Sequence, residues 1–232
     1  MNTQKKNLTT GFVDIDKLTT GLPGGNLILI GGRPGMGKTC FALDIAKHLV
    51  NTSDKTTIYF SMENSTQELK KMLQKKSGIL LDCSSGLIIH DCPAISAKEI
   101  AEICRQTENL GAIIIDYIQL VKQASEENPL SVTLKNIAVE SDVPVICLVQ
   151  LSRQCEARPD KRPDLQDIPQ NNDFLCNMTE YADQILFLYR DGYYNQDSPI
   201  ENTAECIIRK NRHGDTCTVG MTWNKERLTF SL

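Results

Sequence analysis

Residues 32–39 read Gly32-Arg33-Pro34-Gly35-Met36-Gly37-Lys38-Thr39, and no other segment says more about the fold of this 232-residue chain. The segment matches the phosphate-binding pattern G-x-x-x-x-G-K-S/T at every fixed position. An apolar run at 26–31 precedes it and predicts a buried strand, and residues 40–50 carry apolar side chains at helical spacing. A strand, a glycine-rich turn and a helix in this order form a phosphate cradle, because backbone N–H groups and the positive helix end face the anion.

The fixed residues of this phosphate loop also predict its ligand. Lys38 is placed to reach the β- and γ-phosphates of a nucleotide, and Thr39 is placed to put its hydroxyl on Mg²⁺. The alternative is a tight glycine turn that binds nothing. On the first interpretation, we expect the nucleotide to contact a contiguous set of residues: Arg33, Pro34, Gly35, Met36, Gly37, Lys38, Thr39 and Cys40.

Composition favours one α/β domain of ordinary character. Hydrophobic residues make up 41% and charged residues 23% of the chain, as in a soluble globular protein. The net charge of −4 argues against a globally basic nucleic-acid binder but leaves room for a local basic groove. No run approaches the length of a membrane span, and residues 1–7 lack the apolar core of a signal peptide.

The nine cysteines are odd in number and form no C-x-x-C pair. Several lie inside predicted strands or helices, where cysteine serves as a small apolar residue. We therefore expect reduced cysteines and a cytoplasmic protein. The three histidines do not cluster with the cysteines, so a zinc site is disfavoured.

Strand and helix patterns alternate along the chain. Capping boxes at Ser65 and Ser96 predict helix starts, and we expect the second of these helices to run until Gly111. A third helix is predicted near 129–140. Strands are predicted at 57–62, 86–90, 112–116, 143–150 and 184–189, followed by short strands at 204–209, 216–223 and 228–232. The pattern indicates a mostly parallel central sheet with helices on both faces and a C-terminal antiparallel meander.

Three polar residues lie at or just beyond the ends of predicted strands, at the edge where ligands bind in such sheets. Asp116 could help to hold Mg²⁺, or it could cap a turn. Glu63 could orient the attacking water, or it could favour the dipole of the next helix. Gln150 could sense the γ-phosphate, or it could be a satisfied strand-end amide.

A basic cluster, Arg209-Lys210-Asn211-Arg212, lies in a stretch without acidic residues between Cys206 and Gly214. It could be a solvated strand edge. It could also be a cationic finger that reaches a nucleotide bound by a neighbouring subunit. The residues themselves leave both interpretations open.

Six segments, in order, resemble the ATPase domain of DnaB-type replicative helicases, a branch of the RecA-like motors. They are the opening segment 10–22, the phosphate loop 32–39, residues 60–65 around Glu63, residues 116–120 from Asp116, the stretch 151–163, and Lys210-Asn211-Arg212-His213-Gly214. The resemblance implies a RecA-like P-loop NTPase domain at 10–232 behind a flexible tail at 1–9.

The resemblance implies ATP hydrolysis with Mg²⁺ held by Thr39 and Asp116. The implied catalytic residues are Glu63, Lys38, Gln150, Arg212 and Lys210, with Arg212 as the arginine finger. Implied partners are single-stranded DNA, further copies of the chain in a ring that we expect to be a hexamer, and other replication proteins, with no membrane. The candidate DNA-binding residues are Arg153, Arg158, Lys161 and Arg162.

Several departures from the family pattern bear on DNA binding. Almost nothing precedes Thr10, where family members usually carry a helical domain. The segment 121–128 is acidic on balance where the family usually has basic residues, and 166–174 has no basic residue. The hypotheses are therefore a ring-shaped DNA helicase or translocase and, alternatively, a regulatory or accessory replication ATPase without unwinding. A RecA- or KaiC-like recombination or signalling ATPase fits less well.

Overall fold

Within the residues that the structure describes, a nine-stranded sheet forms the centre of the molecule. The computed structural model of the chain describes residues 6–77, 86–122, 129–169, 177–195 and 197–232. The strands are β1 Leu27–Gly32, β2 Thr56–Ser61, β3 Leu87–Asp91, β4 Leu110–Asp116, β5 Val145–Gln150, β6 Gln184–Tyr189, β7 Thr203–Asn211, β8 Thr218–Asn224 and β9 Thr229–Ser231. The helices are α1 Val13–Thr19, α2 Lys38–Thr52, α3 Thr66–Ser77, α4 Ala97–Gln106, α5 Leu130–Ser141, α6 Met178–Tyr181 and α7 Asp191–Tyr194.

The strand order is β3-β2-β4-β5-β1-β6-β7-β8-β9. All pairings from β3 to β6 are parallel, whereas β6–β7, β7–β8 and β8–β9 are antiparallel. The predicted mostly parallel sheet with a C-terminal antiparallel meander is therefore confirmed. In this order β1 lies between β5 and β6, so the phosphate loop leaves the sheet near its middle.

Helices cover both faces of the sheet. Side chains along a strand alternate between the two faces, so neighbouring residues of one strand pack against different helices. Ile28 and Ile30 of β1 belong to the apolar cluster that includes α2 and α3, whereas Leu27 and Leu29 belong to the cluster that includes α4 and α5. All six residues of β1 are buried. A strand covered on both sides needs a continuous apolar run, which is the pattern that predicted it.

Gly111 does not end a helix, and this prediction is wrong. Helix α4 ends at Gln106, and Asn109 in the following turn has φ +52°. Gly111 lies inside β4 at an irregularity where Thr56 pairs with Leu110 but Thr57 pairs with Ala112. A Cβ on Gly111 would come 2.5 Å from the Lys55 Cβ, so the glycine is explained by a close side-chain approach within the sheet.

Other predicted features can be compared only in part. The capping box at Ser96 is present, and Ser65 and Glu68 exchange the same reciprocal hydrogen bonds. From the segment predicted to be a tail, Leu8 forms a bridge with Leu22. Much of the two loops that departed from the family pattern, residues 123–128 and 170–176, lies outside the described residues.

Candidate nucleotide-binding site

The phosphate loop joins β1 to α2 in a conformation that requires glycine. Gly35 and Gly37 have φ of +80° and +93°, values that side chains with a Cβ rarely adopt. A Cβ on Gly37 would come 2.8 Å from Phe230 Cζ, and one on Gly35 would come 2.4 Å from Tyr193 Cε2. The loop therefore presents bare backbone at the N-terminus of α2, where N–H groups lack partners within the helix and attract anions.

Asp116 is the hydrogen-bonding centre behind the loop. Thr39 Oγ1 and the Tyr59 hydroxyl each donate to Asp116 Oδ2 at 2.8 Å. Burial raises the pKa of Asp116, while these two hydrogen bonds and the charge of Lys38 act in the opposite direction. A hydroxyl beside a carboxylate is a set of hard oxygen donors, which fits Mg²⁺ held jointly with nucleotide phosphates.

Lys38 and Glu63 complete this group at the carboxyl ends of the strands. Burial lowers the pKa of Lys38 to about 8, although the carboxylates of Asp116 and Glu63 pull it upward. Glu63 is exposed just beyond β2, where the Met62 N–H donates to the Asp116 carbonyl at 2.9 Å. The structure therefore places a cation, a hydroxyl and two carboxylates of the predicted site around one loop.

Gln150 lies beside the phosphate loop, at the end of β5 and opposite Gly32 of β1. Its backbone is clamped by Gln119, whose Nε2 donates to the Gln150 carbonyl at 2.7 Å and whose Oε1 accepts from the Gln150 N–H at 3.3 Å. Sequence reasoning did not assign Gln119 this role. The clamp fixes the strand end from which Gln150 would sense the nucleotide.

Arg33 turns away from the loop toward the segment after β5. Its Nε donates to Glu156 Oε1 at 2.9 Å, and its Nη1 donates to the Leu151 carbonyl at 2.8 Å. Tyr194 also donates to Glu156 Oε1, at 3.3 Å. The predicted contact of Arg33 with the nucleotide stays a prediction, and the Arg33 side chain ties the phosphate loop to residues 151–156.

A cavity of about 600 Å³ opens beside Gly35. Arg190 donates to the Gly35 carbonyl at 3.1 Å, and its guanidinium lies 4.4 Å from the centre of the Trp223 ring. Tyr193 lines the same cavity. Sequence reasoning missed this aromatic and cationic wall, because Arg190 follows β6 and Trp223 lies on β8, and only the fold brings both to the loop.

Two of the candidate DNA-binding cations are engaged within the chain. Arg158 forms an ion pair with the buried Asp167, and Arg162 donates from Nε to Glu205 at 2.8 Å. Lys161 lies 4.9 Å above the Tyr194 ring. In the described ranges Arg153 is exposed and has no ion pair.

Lys210 and Arg212 lie near the amino ends of the parallel strands, whereas the phosphate loop lies at their carboxyl ends. Gln184 at the start of β6 pairs with Ile28 of β1 and with Asn211 of β7, so Arg212 follows β7 at the amino ends of the parallel strands. The phosphate loop follows the carboxyl end of β1, roughly 17 Å away at about 3.3 Å per residue. The chain therefore cannot bring Arg212 to its own nucleotide without unfolding this edge.

The rest of the described chain offers no competing site of the kinds considered. No group of three or more His, Cys, Asp or Glu side chains that could hold a metal ion occurs among the described residues. The seven cysteines within those ranges are free. In the same part of the chain, no helix combines the length and apolar character that crossing a membrane requires.

The pKa of Lys38 predicts proton uptake when nucleotide binds in alkaline solution. With a pKa of about 8, the free protein loses the Lys38 proton as the pH rises through that value. A bound phosphate favours the ammonium form, so binding above this pH draws a proton from the buffer. Calorimetric titration at about pH 9 in two buffers of different ionisation enthalpy would show uptake, which should be small near neutrality. Equal heats in both buffers would contradict this assignment.

The fold and the site together define a class. A glycine-rich loop between a central parallel strand and a helix, with a carboxylate at the end of another strand beside the loop's threonine, is the arrangement of P-loop nucleotide-binding domains. The domain also shares the RecA-like architecture. It is similar to the RadB recombinase with a TM-score of 0.66 over 97% of this chain, at 18% identity, which bears on the fold alone.

The chain belongs to the family described as the DnaB-like helicase C terminal domain, whose model matches residues 7–84 and 81–232. It is 36% identical to the replicative DNA helicase DnaB of Geobacillus stearothermophilus and 35% identical to the replicative DNA helicase DnaC of Bacillus subtilis. Both alignments cover 96% of this chain and 56% of the relative. The chain thus spans little more than half the length of these relatives.

Two solved structures match this chain over slightly more of its length than these two relatives do. One is an isolated ATPase domain that superposes with a TM-score of 0.87 at 33% identity, covering 98% of this chain and 93% of that one. A DnaB-like replicative helicase studied with its primase interactions gives a TM-score of 0.88 at 32% identity, covering all of this chain and 64% of that one. The DnaB-type resemblance inferred from the six segments is confirmed.

Proposed function

We propose that this domain, expected to span residues 10–232, is the ATP-hydrolysing motor of a DnaB-like DNA helicase that acts on single-stranded DNA in replication. The observation that carries the proposal is the meeting of Lys38, Thr39, Asp116 and Glu63 around the glycine loop. Membership of the DnaB-like family connects this nucleotide site to a helicase.

The side chains divide the work of phosphoryl transfer to water. Lys38 compensates charge on the β- and γ-phosphates, and Glu63 orients the attacking water from beyond β2. Thr39 and Asp116 are the residues that would hold Mg²⁺, which when bound neutralises charge on the phosphate oxygens. Gln150, at the end of β5, senses the terminal phosphate. The hydrogen bonds of Gln119 to the Gln150 backbone link a movement of Gln150 to the segment that follows β4.

The separation of Arg212 from the phosphate loop supports a ring. A residue that stabilises charge on the terminal phosphate has to approach it, and Arg212 lies at the other edge of its own sheet. Arg212, with Lys210 beside it, would therefore serve the nucleotide of a neighbouring copy. A closed ring of identical subunits repeats this contact at every interface, and we propose a hexamer.

Binding of single-stranded DNA would depend on cations contributed by every subunit of the ring. Arg153 and Lys161 are better placed to meet phosphates than Arg158 and Arg162, which already have carboxylate partners. Because the same cations are repeated in every subunit, their phosphate contacts add up around the ring, and binding would weaken sharply with salt. Other replication proteins as partners and a cytoplasmic location also stay proposals.

Strand displacement tests this function directly. The purified chain would be assayed on a forked DNA duplex with ATP and Mg²⁺ at low salt, beside its binding to the single strand. We expect binding and ATP-dependent unwinding, both lost as salt is raised. ATP turnover without binding or unwinding would contradict the helicase proposal and support an accessory ATPase.

A further inference from the structure

One buried carboxylate, Asp183, holds the proposed finger within its own chain. Asp183 directly precedes β6 at the amino-terminal edge of the sheet, and its side chain is only 4% exposed. Its Oδ1 accepts from Arg212 Nη1 at 3.0 Å, and the Arg212 N–H donates to its backbone carbonyl at 3.0 Å. Arg212 Nη2 also donates to the Glu180 carbonyl at 3.2 Å.

A second cation shares this carboxylate. Lys135, on α5, donates from Nζ to Asp183 Oδ2 at 2.6 Å and to the Gly25 carbonyl at 2.8 Å. The Leu27 N–H, at the start of β1, donates to the same Oδ2 at 2.8 Å. The two oxygens of Asp183 are thus divided, one facing Arg212 and the other facing Lys135 and the backbone of β1.

Arg212 can leave Asp183 more easily than Lys135 can. The side chain of Arg212 is 51% exposed, whereas that of Lys135 is 21% exposed and tied to the Gly25 carbonyl as well. Removing every cation from a buried carboxylate is strongly unfavourable, because its charge is then left without a partner. As long as Lys135 stays, Arg212 can depart and Asp183 keeps both a cation and a backbone hydrogen bond.

We propose that Lys135 is a positioning residue for the finger. By neutralising Asp183, it allows Arg212 to exchange this carboxylate for the terminal phosphate held by a neighbouring subunit. Arg212 then pairs with Asp183 while no nucleotide is near. It leaves Asp183 with little loss of free energy when the neighbouring subunit presents a nucleotide. This inference rests on the proposed function, in which Arg212 acts across subunits.

Replacing Lys135 with glutamine tests the inference in the full chain. In Lys135→Gln, the departure of Arg212 would leave Asp183 without a cation, so we expect kcat for ATP to fall on the order of tenfold with KM nearly unchanged. Lys135→Arg keeps a cation and should retain turnover. Lys98→Gln, which changes an exposed lysine on α4, is the matched control.

A double variant separates positioning from folding. Lys135→Gln with Asp183→Asn removes the buried charge along with its partner and leaves an amide oxygen for the Leu27 N–H. We expect this pair to recover most of the wild-type kcat, which a merely structural role of Lys135 does not predict. Mixing Lys135→Gln with Lys38→Ala should also restore turnover, because Lys38→Ala subunits supply an unrestrained finger to intact phosphate loops.

The outcomes distinguish this inference from the function on which it rests. Normal kcat in Lys135→Gln, even with a lower melting temperature, would overturn the positioning role, as would a double variant that stays as slow as Lys135→Gln. If Arg212→Ala itself keeps wild-type turnover, the trans finger is wrong and the proposed function has to be revised. If Arg212→Ala is inactive while Lys135→Gln is normal, only the role of Lys135 fails.

Discussion

Lys38→Ala is expected to lower ATP turnover by roughly 100- to 1,000-fold, the loss typical of removing one group that stabilises transition-state charge. Lys38 belongs to the glycine loop and is held by no carboxylate ion pair in the described structure, and its Nζ donates to the Arg33 carbonyl at 3.2 Å. Its loss removes the loop's own cation, so the loop contributes only backbone N–H groups to compensate the phosphates. Nucleotide binding should weaken as well.

Phosphate release at saturating ATP and equilibrium binding of a fluorescent ATP analogue would measure the two effects. Lys47→Ala is the matched control, because Lys47 lies on the same helix α2 as Lys38 but lines a different cavity. We expect the control to hydrolyse ATP at the wild-type rate. Turnover by Lys38→Ala within a few-fold of wild type would mean that the glycine loop does not hold the phosphates.

Glu63→Gln is expected to separate binding from hydrolysis. The amide keeps the size of the side chain but removes the carboxylate that orients and activates water, so turnover should fall by roughly 100- to 10,000-fold. ATP affinity should be preserved or slightly increased, because the charge of Glu63 opposes that of the phosphates. Arg33, Lys38 and Thr39 are untouched by this change.

Glu102→Gln provides the comparison for this variant, since Glu102 is an exposed carboxylate on α4. The measurements are single-turnover hydrolysis and ATP affinity for both variants. Normal ATP hydrolysis by Glu63→Gln would mean that another group orients the attacking water. A variant that loses binding and hydrolysis together would make Glu63 a structural residue of the loop.

Much of the nucleotide site could be predicted from the sequence because its residues follow recognisable strands. Parallel strands end at one edge of a sheet, so Lys38, Asp116 and Glu63 were expected at the same edge once the strands were assigned. The apolar runs before these residues indicated where β1, β2 and β4 end. This reasoning needed only local pattern and the geometry of a parallel sheet.

Long-range side-chain pairs could not be predicted in this way. The hydrogen bond from Tyr59 to Asp116 and the ion pair of Arg33 with Glu156 depend on which strands are neighbours, and periodicity does not give that order. Gly111 shows the same limit, because a glycine near the end of a helical pattern favours a helix stop. The approach of Lys55, which explains the glycine inside β4, is a tertiary contact.

The candidate DNA-binding cations show why charge in a sequence does not reveal its use. Arg158 and Arg162 were candidate DNA contacts, yet Arg158 pairs with Asp167 of the same connecting segment and Arg162 pairs with Glu205 on β7. The basic cluster at 209–212 likewise gave no hint of the buried Asp183 beneath Arg212. The sequence predicts where cations occur, and the fold decides which of them face solvent.

The rate of ATP hydrolysis shows whether this ATPase works as a ring on single-stranded DNA. ATP turnover per chain would be measured across protein concentration, with and without a single-stranded oligonucleotide at low salt. We predict that turnover rises steeply with concentration, because each site needs Arg212 from a neighbour, and that DNA increases it further. Turnover that is independent of both concentration and DNA would rule out a ring that is completed by Arg212 and acts on single-stranded DNA.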